Sequence, residues 1–194
     1  MVKEKGCLTF GIVNVVGSTI ARMCDMGLYT HSGMEVGVAS TKNIVGQLAV
    51  LILMALSLGL KRDLQVKDAR EIIRHLAEMP WKFEEQLRDK HILKPIIEKY
   101  SKYQNFFFLG RNVLYGTAQE CSLKLKELSS LHSEAYSTGE LKHGPLALIN
   151  PSMPSIVLNL KGVLREKTTS NVKEIKARNG VVLGVLTTGD DSEE

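Results

Sequence analysis

Four short apolar runs, at residues 8–13, 106–109, 155–160 and 181–186, constrain this chain more than any other feature. Each is nearly free of charge, as a strand must be when both faces of its sheet are covered. The first ends at Asn14, with Gly17-Ser18 following, and the second is closed by Gly110-Arg111. Residues 27–31 read as a further short strand. Between the runs lie segments of helical length and period, 113–131 and 163–178, the latter stopped by Asn179-Gly180. Strands alternating with helices build βαβ units around a parallel sheet. The expected fold class is therefore α/β, with parallel sheets flanked by helices in a three-layer sandwich of flavodoxin-like or Rossmann-like type. The 194 residues suffice for one domain or two small ones, and both halves share a strand–loop–helix rhythm.

Residues 33–39 read as loop. Ser40 and Thr41 then offer N-caps for an apolar helix reaching about Leu58, with Gly59 as its stop. Residues 43–60 carry no charge, and as a helix they extend about 27 Å, close to the apolar thickness of a bilayer. Asn43, Gly46, Gln47, Ser57 and Gly59 dilute the segment, so a buried core helix is expected and no membrane span. Residues 63–100 are amphipathic and charged, broken at Pro80 and near Pro95, and read as helices linking two halves. The acidic end, from Gly189 on, is expected to fray.

Composition is ordinary for a globular α/β chain, with 44% hydrophobic and 24% charged residues and a net charge of +4. No block of like charge and no basic run with interleaved aromatics supports nucleic-acid binding. Cys7, Cys24 and Cys121 are far apart and form no Cys-x-x-Cys pair, which fits reduced thiols in a cytoplasmic protein. The charged start, from Val2 to Gly6, is no secretory signal. Neither a Gly-x-Gly-x-x-Gly nor a Walker loop is present, so no nucleotide or dinucleotide cofactor is expected. His132 and Glu134 suggest a metal pair but lack an evident third ligand, and no metal is expected.

The helix at 113–131 carries the most chemistry. With ~100° between successive residues, Leu114, Ala118, Cys121, Leu125 and Leu128 share a core face. Glu120, Lys124 and Glu127 form a second stripe at the flank, where a cleft wall would be, and Lys126 points elsewhere, to water. An exposed acid–base–acid ladder is one reading of that stripe, stabilising by a few tenths of a kcal/mol per pair. The other is a working carboxylate. His143 stands sixteen residues after Glu127 in the run Gly-Glu-Leu-Lys-His-Gly-Pro, on a loop bracketed by Gly139, Gly144 and Pro145. A short reverse path would bring the two together. One neutral-pH proton carrier and one carboxylate are what a 1,2-proton shift on a sugar needs. The loop 35–42 precedes a helix, so its N–H groups either take an anion or sugar hydroxyls or are simply capped by Ser40 or Thr41.

Residues 35–42, 123–127 and 139–149, in this order and spacing, resemble the isomerase region of the glutamine–fructose-6-phosphate aminotransferase family. Phe108-Leu109-Gly110-Arg111, residues 132–136 and the opening from Lys5-Gly6 to Gly17-Ser18 resemble it too, so the likeness covers nearly the whole chain. It implies a pair of sugar-isomerase (SIS) domains, and places the end of the first at 1–62, linker helices at 63–102 and most of the second at 103–194. It implies conversion of fructose 6-phosphate to glucosamine 6-phosphate, with Glu127 as the base moving a proton between C1 and C2. His143 would assist ring opening in the site of a neighbouring subunit, and Lys124 would lie beside the sugar. Val38, Ala39 and Ser40 would line the sugar pocket.

The departures from the family pattern also bear on function. Val2 stands where the family has the cysteine nucleophile of its glutaminase domain, and that domain is not in this sequence. Neither is the Ser-Gln-Ser-Gly-Glu-Thr phosphate loop, nor the tail with the Schiff-base lysine. The chain is thus expected to be incomplete by itself, a homodimer or in need of flanking domains. So few strands in the first half would leave sheet edges and apolar helix surface exposed. A sugar-phosphate-binding regulator without turnover, or an assembly module, are the alternatives; Glu127 argues against a pure binder.

Overall fold

The computed structural model describes residues 2–88, 91 and 93–189; of the acidic end expected to fray, all but Gly189 lies outside this range. The chain forms two compact units, Met1–Lys90 and His91–Glu194.

In the first unit, β1 (Phe10–Val13) pairs in parallel with β2 (Met26–Tyr29) across the short helix α1 (Thr19–Met23). Ser18 caps α1, its hydroxyl accepting from the Ala21 amide. At the carboxyl end of β1, Asn14 ties three segments together. Its side chain donates to the Gly33 carbonyl and accepts from the Thr30 hydroxyl and the Ser32 amide. The loop then enters α2 (Lys42–Leu60), followed by α3 (Val66–Arg88).

Three expectations are corrected here. Helix α2 is no buried core helix within its unit: Leu56 is its one buried residue, and Leu48, Leu53 and Leu58 are about half exposed. A two-stranded sheet has too little surface to cover a nineteen-residue helix of this composition, so the expected exposure of apolar helix surface is found. By length and composition alone α2 is also apolar enough to cross a membrane. Gly59 does not stop the helix but lies inside it, where Leu64 packs so closely that a Cβ would meet its Cδ2 at 3.1 Å. Pro80 does not break α3. The helix loses one backbone bond there, while Glu78 spans the site, accepting from Arg74 and Lys82 at 2.7 and 3.0 Å.

The second unit carries α4 (Leu93–Tyr100), β3 (Asn105–Gly110), α5 (Val113–Ser129), β4 (His132–Ser137), β5 (Ser155–Leu158), α6 (Arg165–Lys176) and β6 (Val182–Val185). Pro95 sits in the first turn of α4, where its missing N–H has no intrahelical partner to lose. The sheet is fully parallel, in the order β4-β3-β5-β6. Strand β3 buries both faces. Phe107 and Leu109 join Leu141, Ile149, Val157 and Ile175 on the α6 side. Phe106 and Phe108 join Ala118, Leu114, Cys121 and Leu125 on the α5 side. These are the expected helix–sheet–helix layers. Of the residues read as the core face of α5, Leu128 is the exception, 70% exposed on the last turn.

Strand β4 was not expected, because His-Ser-Glu-Ala-Tyr-Ser has no apolar run. It forms at the sheet edge, where Ser133 is buried and its hydroxyl donates to the Ser122 carbonyl and contacts the Ser122 hydroxyl. His132 contacts Asn105 Oδ1 at 3.0 Å and faces Glu134 at 3.6 Å.

Candidate functional site

The acid–base stripe on α5 is present as a closed cluster. Lys124 Nζ lies 2.5 Å from Glu127 Oε2 and 3.4 Å from Glu120 Oε1. The Lys124 and Glu127 side chains are 21% and 29% exposed. Helical spacing alone sets these pairs, at i,i+3 and i,i+4. The hydrogen bond that Lys124 donates to Glu127, then the charge of Glu120, hold the Lys124 ammonium above its ordinary pKa despite partial desolvation. Lys124 is therefore a fixed cation beside Glu127, and Lys126 points away from it to the surface.

His143 is not brought to Glu127. It ends a 3-10 segment, Thr138–His143, that begins where β4 stops. Helix α5 must return the chain from the carboxyl edge of the sheet to its amino edge, because β3 and β4 are parallel. Glu127 therefore lies near the amino edge, two residues before the helix ends. The reverse path through β4 then climbs six residues, about 20 Å, before His143 is reached. Among the described residues no hydrogen bond or ion pair joins the two side chains. The turn bearing His143 is anchored by buried Leu141 and by Lys142 Nζ, 2.8 Å from Glu174 Oε1 on α6.

In the first unit the loop before α2 is organised by Glu35. Its carboxylate accepts from the Thr41 and Lys42 amides at 2.7 and 2.9 Å and from the Ser40 hydroxyl at 3.0 Å. Neither Ser40 nor Thr41 caps the helix; Glu35 does, from six and seven residues upstream. Its carboxylate already fills the place at the helix amino end where an external anion was one expectation. Ala39 is buried, Ser40 is bonded to Glu35, and Val38 stands 93% exposed. A cleft of about 580 Å³ opens beside the loop, walled by Asn14, Val15, His31, Met34, Glu35 and Asn43.

The amide of Thr41, then the hydroxyls of Ser40 and Thr41, lower the Glu35 pKa from 4.5 to about 2. A depressed carboxylate contributes stability that is fully present above the unfolded value. That contribution is lost as pH falls from about 4.5 through about 2. Glu35→Gln is expected to lower the melting temperature at pH 7 and to flatten its acid dependence over this window. Parallel melts of both proteins from pH 7 to pH 2 check this; identical slopes would remove Glu35 from the account.

Residues 1–57 and 99–193 match the sequence profile of the SIS domain. The chain belongs to the SIS domain family. The SIS match reaches through most of α2, which places that apolar helix within the domain fold. Among curated relatives, this SIS chain is 44% identical over 190 residues to the glutamine–fructose-6-phosphate aminotransferase (isomerizing) of Thermus thermophilus. It is 43% identical over 190 residues to that of Aquifex aeolicus. These alignments cover 97% and 98% of the chain but 32% and 31% of the relatives, so it spans about a third of their length. Among solved structures, the C-terminal domain of the glucosamine-fructose-6-phosphate aminotransferase from Francisella tularensis superposes with a TM-score of 0.87 at 36% identity. That alignment covers 91% of this chain and 50% of that one.

Proposed function

We propose that this chain is the sugar-isomerising region of a glutamine–fructose-6-phosphate aminotransferase, acting in the conversion of fructose 6-phosphate to glucosamine 6-phosphate. The observation that carries the reading is the Lys124–Glu127 pair, partly shielded on the flank of α5, in a chain with relatives of that name along almost its whole length. Glu127 takes the proton from one of C1 and C2 and returns it to the other. Lys124 holds that carboxylate in place and offers positive charge to the sugar oxygens.

Val38, Ala39 and Ser40 line the sugar pocket in this reading, on the loop fixed by Glu35. His143 assists ring opening. Its place at the opposite edge of the sheet from Glu127 supports service to the site of a second copy, so the working form is a homo-oligomer. The location is cytoplasmic, and the sugar phosphate is the small-molecule partner.

The test places residues 8–188 of this chain in the corresponding segment of the Thermus thermophilus relative. Formation of glucosamine 6-phosphate from fructose 6-phosphate and glutamine is then measured. Activity within an order of magnitude of the parent is expected. A chimera that melts cooperatively and binds fructose 6-phosphate without turnover would replace this reading by the regulatory one.

A further inference from the structure

Helix α6 covers the sheet and also grips the turn that carries His143. Thr168, Asn171 and Ile175 form its buried face, and Ile175 packs in one cluster with Leu141 of the turn. Helix and turn are thereby seated on a common core, and two polar side chains of α6 reach from it to the turn. With its amide nitrogen set toward acceptors, Asn171 donates to the Thr138 carbonyl at 3.2 Å and to the Lys167 carbonyl of its own helix at 3.0 Å. Glu174, three residues further along the same flank, brings Oε1 to 2.8 Å from Lys142 Nζ. Asn171 thus holds the start of the turn, and Glu174 holds the residue directly before His143.

The other constraints on His143 are weak. Residues 138–143 form a 3-10 turn, whose hydrogen bonds have poorer geometry than those of an α-helix. Leu141 and Leu146 are buried, but Lys142, His143 and Gly144 between them are exposed. Gly144 reverses the chain at φ 142°, with open space where a Cβ would stand, and adds no packing. Among the described residues no hydrogen bond or ion pair holds the imidazole itself. With three residues per turn, successive side chains of a 3-10 segment stand about 120° apart. Leu141 takes the core face and Lys142 the face toward α6, which leaves His143 the third, outward face. The Lys142 and Glu174 side chains are 58% and 24% exposed, and a pair so open to solvent adds little to folding stability. The hydrogen bond from Lys142 keeps the Glu174 carboxyl below its ordinary pKa, so the tie stays charged at neutral pH.

We propose that Glu174 is a positioning residue for His143, acting through Lys142. Leu141 in the core and Lys142 on Glu174 fix two of the three faces of the turn, and this sets the angle at which His143 is presented. The role rests on the reading of His143 as the group that assists ring opening. Misplacing a working group by an ångström costs roughly a hundredfold in rate, so the pair matters more to turnover than to folding.

The experiment measures glucosamine 6-phosphate formation by the chimera described above carrying Glu174→Gln, His143→Ala or both. Glu174→Gln is expected to lower kcat about tenfold, with KM for fructose 6-phosphate changed by less than about twofold. His143→Ala leaves spontaneous ring opening, so a residual rate remains to be read. In that background Glu174→Gln is expected to cost less than about twofold, because the group it positions is gone. A purely structural role predicts the same loss in both backgrounds. Melting curves establish that each variant is folded; if Glu174→Gln fails, Lys142→Gln on the exposed side of the pair carries the test. Full activity of Glu174→Gln beside a slow His143→Ala chimera, or equal losses in both backgrounds, would overturn the positioning role alone. Full activity of the His143→Ala chimera would overturn the role given to His143, and that of Glu174 with it.

Discussion

Glutamine in place of Glu127 is expected to slow glucosamine 6-phosphate formation by the chimeric enzyme about 10²- to 10⁴-fold, the usual contribution of a positioned general base. The amide matches the carboxylate in size and keeps the place on α5, so substrate affinity should change far less than kcat. The variant cannot accept the proton that leaves the sugar carbon. It also replaces the 2.5 Å charged contact to Lys124 with a neutral one, leaving the ammonium to Glu120 at 3.4 Å. Glu120→Gln is the control: it sits on the same stripe, touches the same lysine and has no part in the proposed proton transfer. A base at Glu127 predicts a large effect for one and an effect within a few-fold for the other. An ion ladder of a few tenths of a kcal/mol per pair predicts small, similar effects for both, and that outcome would remove Glu127 from the mechanism. The opposed positions of Glu127 and His143 add a second readout. If each site draws these groups from two copies, mixing inactive Glu127→Gln and His143→Ala chimeras restores activity, which neither regains alone.

What was legible in the sequence follows from how strongly each element is buried. Strands β3 and β5 are covered on both faces, so their apolar runs stand out, and alternate residues of β3 feed two different cores. Strand β4 escaped because an edge strand can be polar; its fit depends on the Ser122–Ser133 contact, which joins residues eleven apart and has no periodic signature. Local propensity alone sets a break at Pro80 and a stop at Gly59, yet both residues stand inside helices, α3 and α2. The Lys124–Glu127 stripe was visible because three- and four-residue spacing on a helix is geometry. The Glu127–His143 pairing was misread as local because sequence nearness does not reveal that a whole strand climbs between them. Glu35 as the cap of α2 brings together residues whose proximity depends on the loop path, and no short motif marks it.

The largest expected loss of stability is at Phe107. Its side chain is fully buried at the centre of β3, packed edge-on against Tyr136 with ring centroids 5.4 Å apart at 89°. On the same face it meets the cluster of Leu141, Leu146, Ile149, Met153, Val157 and Ile175, which seats both α6 and the turn that carries His143. Phe107→Ala removes a whole ring from a site walled by a central strand and a helix, so the surroundings have little freedom to collapse. A cost of about 3–5 kcal/mol is expected from lost transfer energy plus the cavity. Against a typical total of about 5–15 kcal/mol, that leaves the second unit marginal. Phe107→Leu keeps most of the volume and should cost about 1–1.5 kcal/mol. Denaturant titrations of the three proteins, read as midpoint shifts at constant slope, check the order. Fluorescence of Trp81 reports the first unit in the same samples, since that residue lies on α3. Because the Phe107 cluster lies wholly within the second unit, the Phe107 variants should shift the far-UV transition more than the tryptophan signal. Coincident shifts of both would mean that the two units unfold as one cooperative body, and the His143 turn would then owe its order to the whole chain and not to the Phe107 core alone.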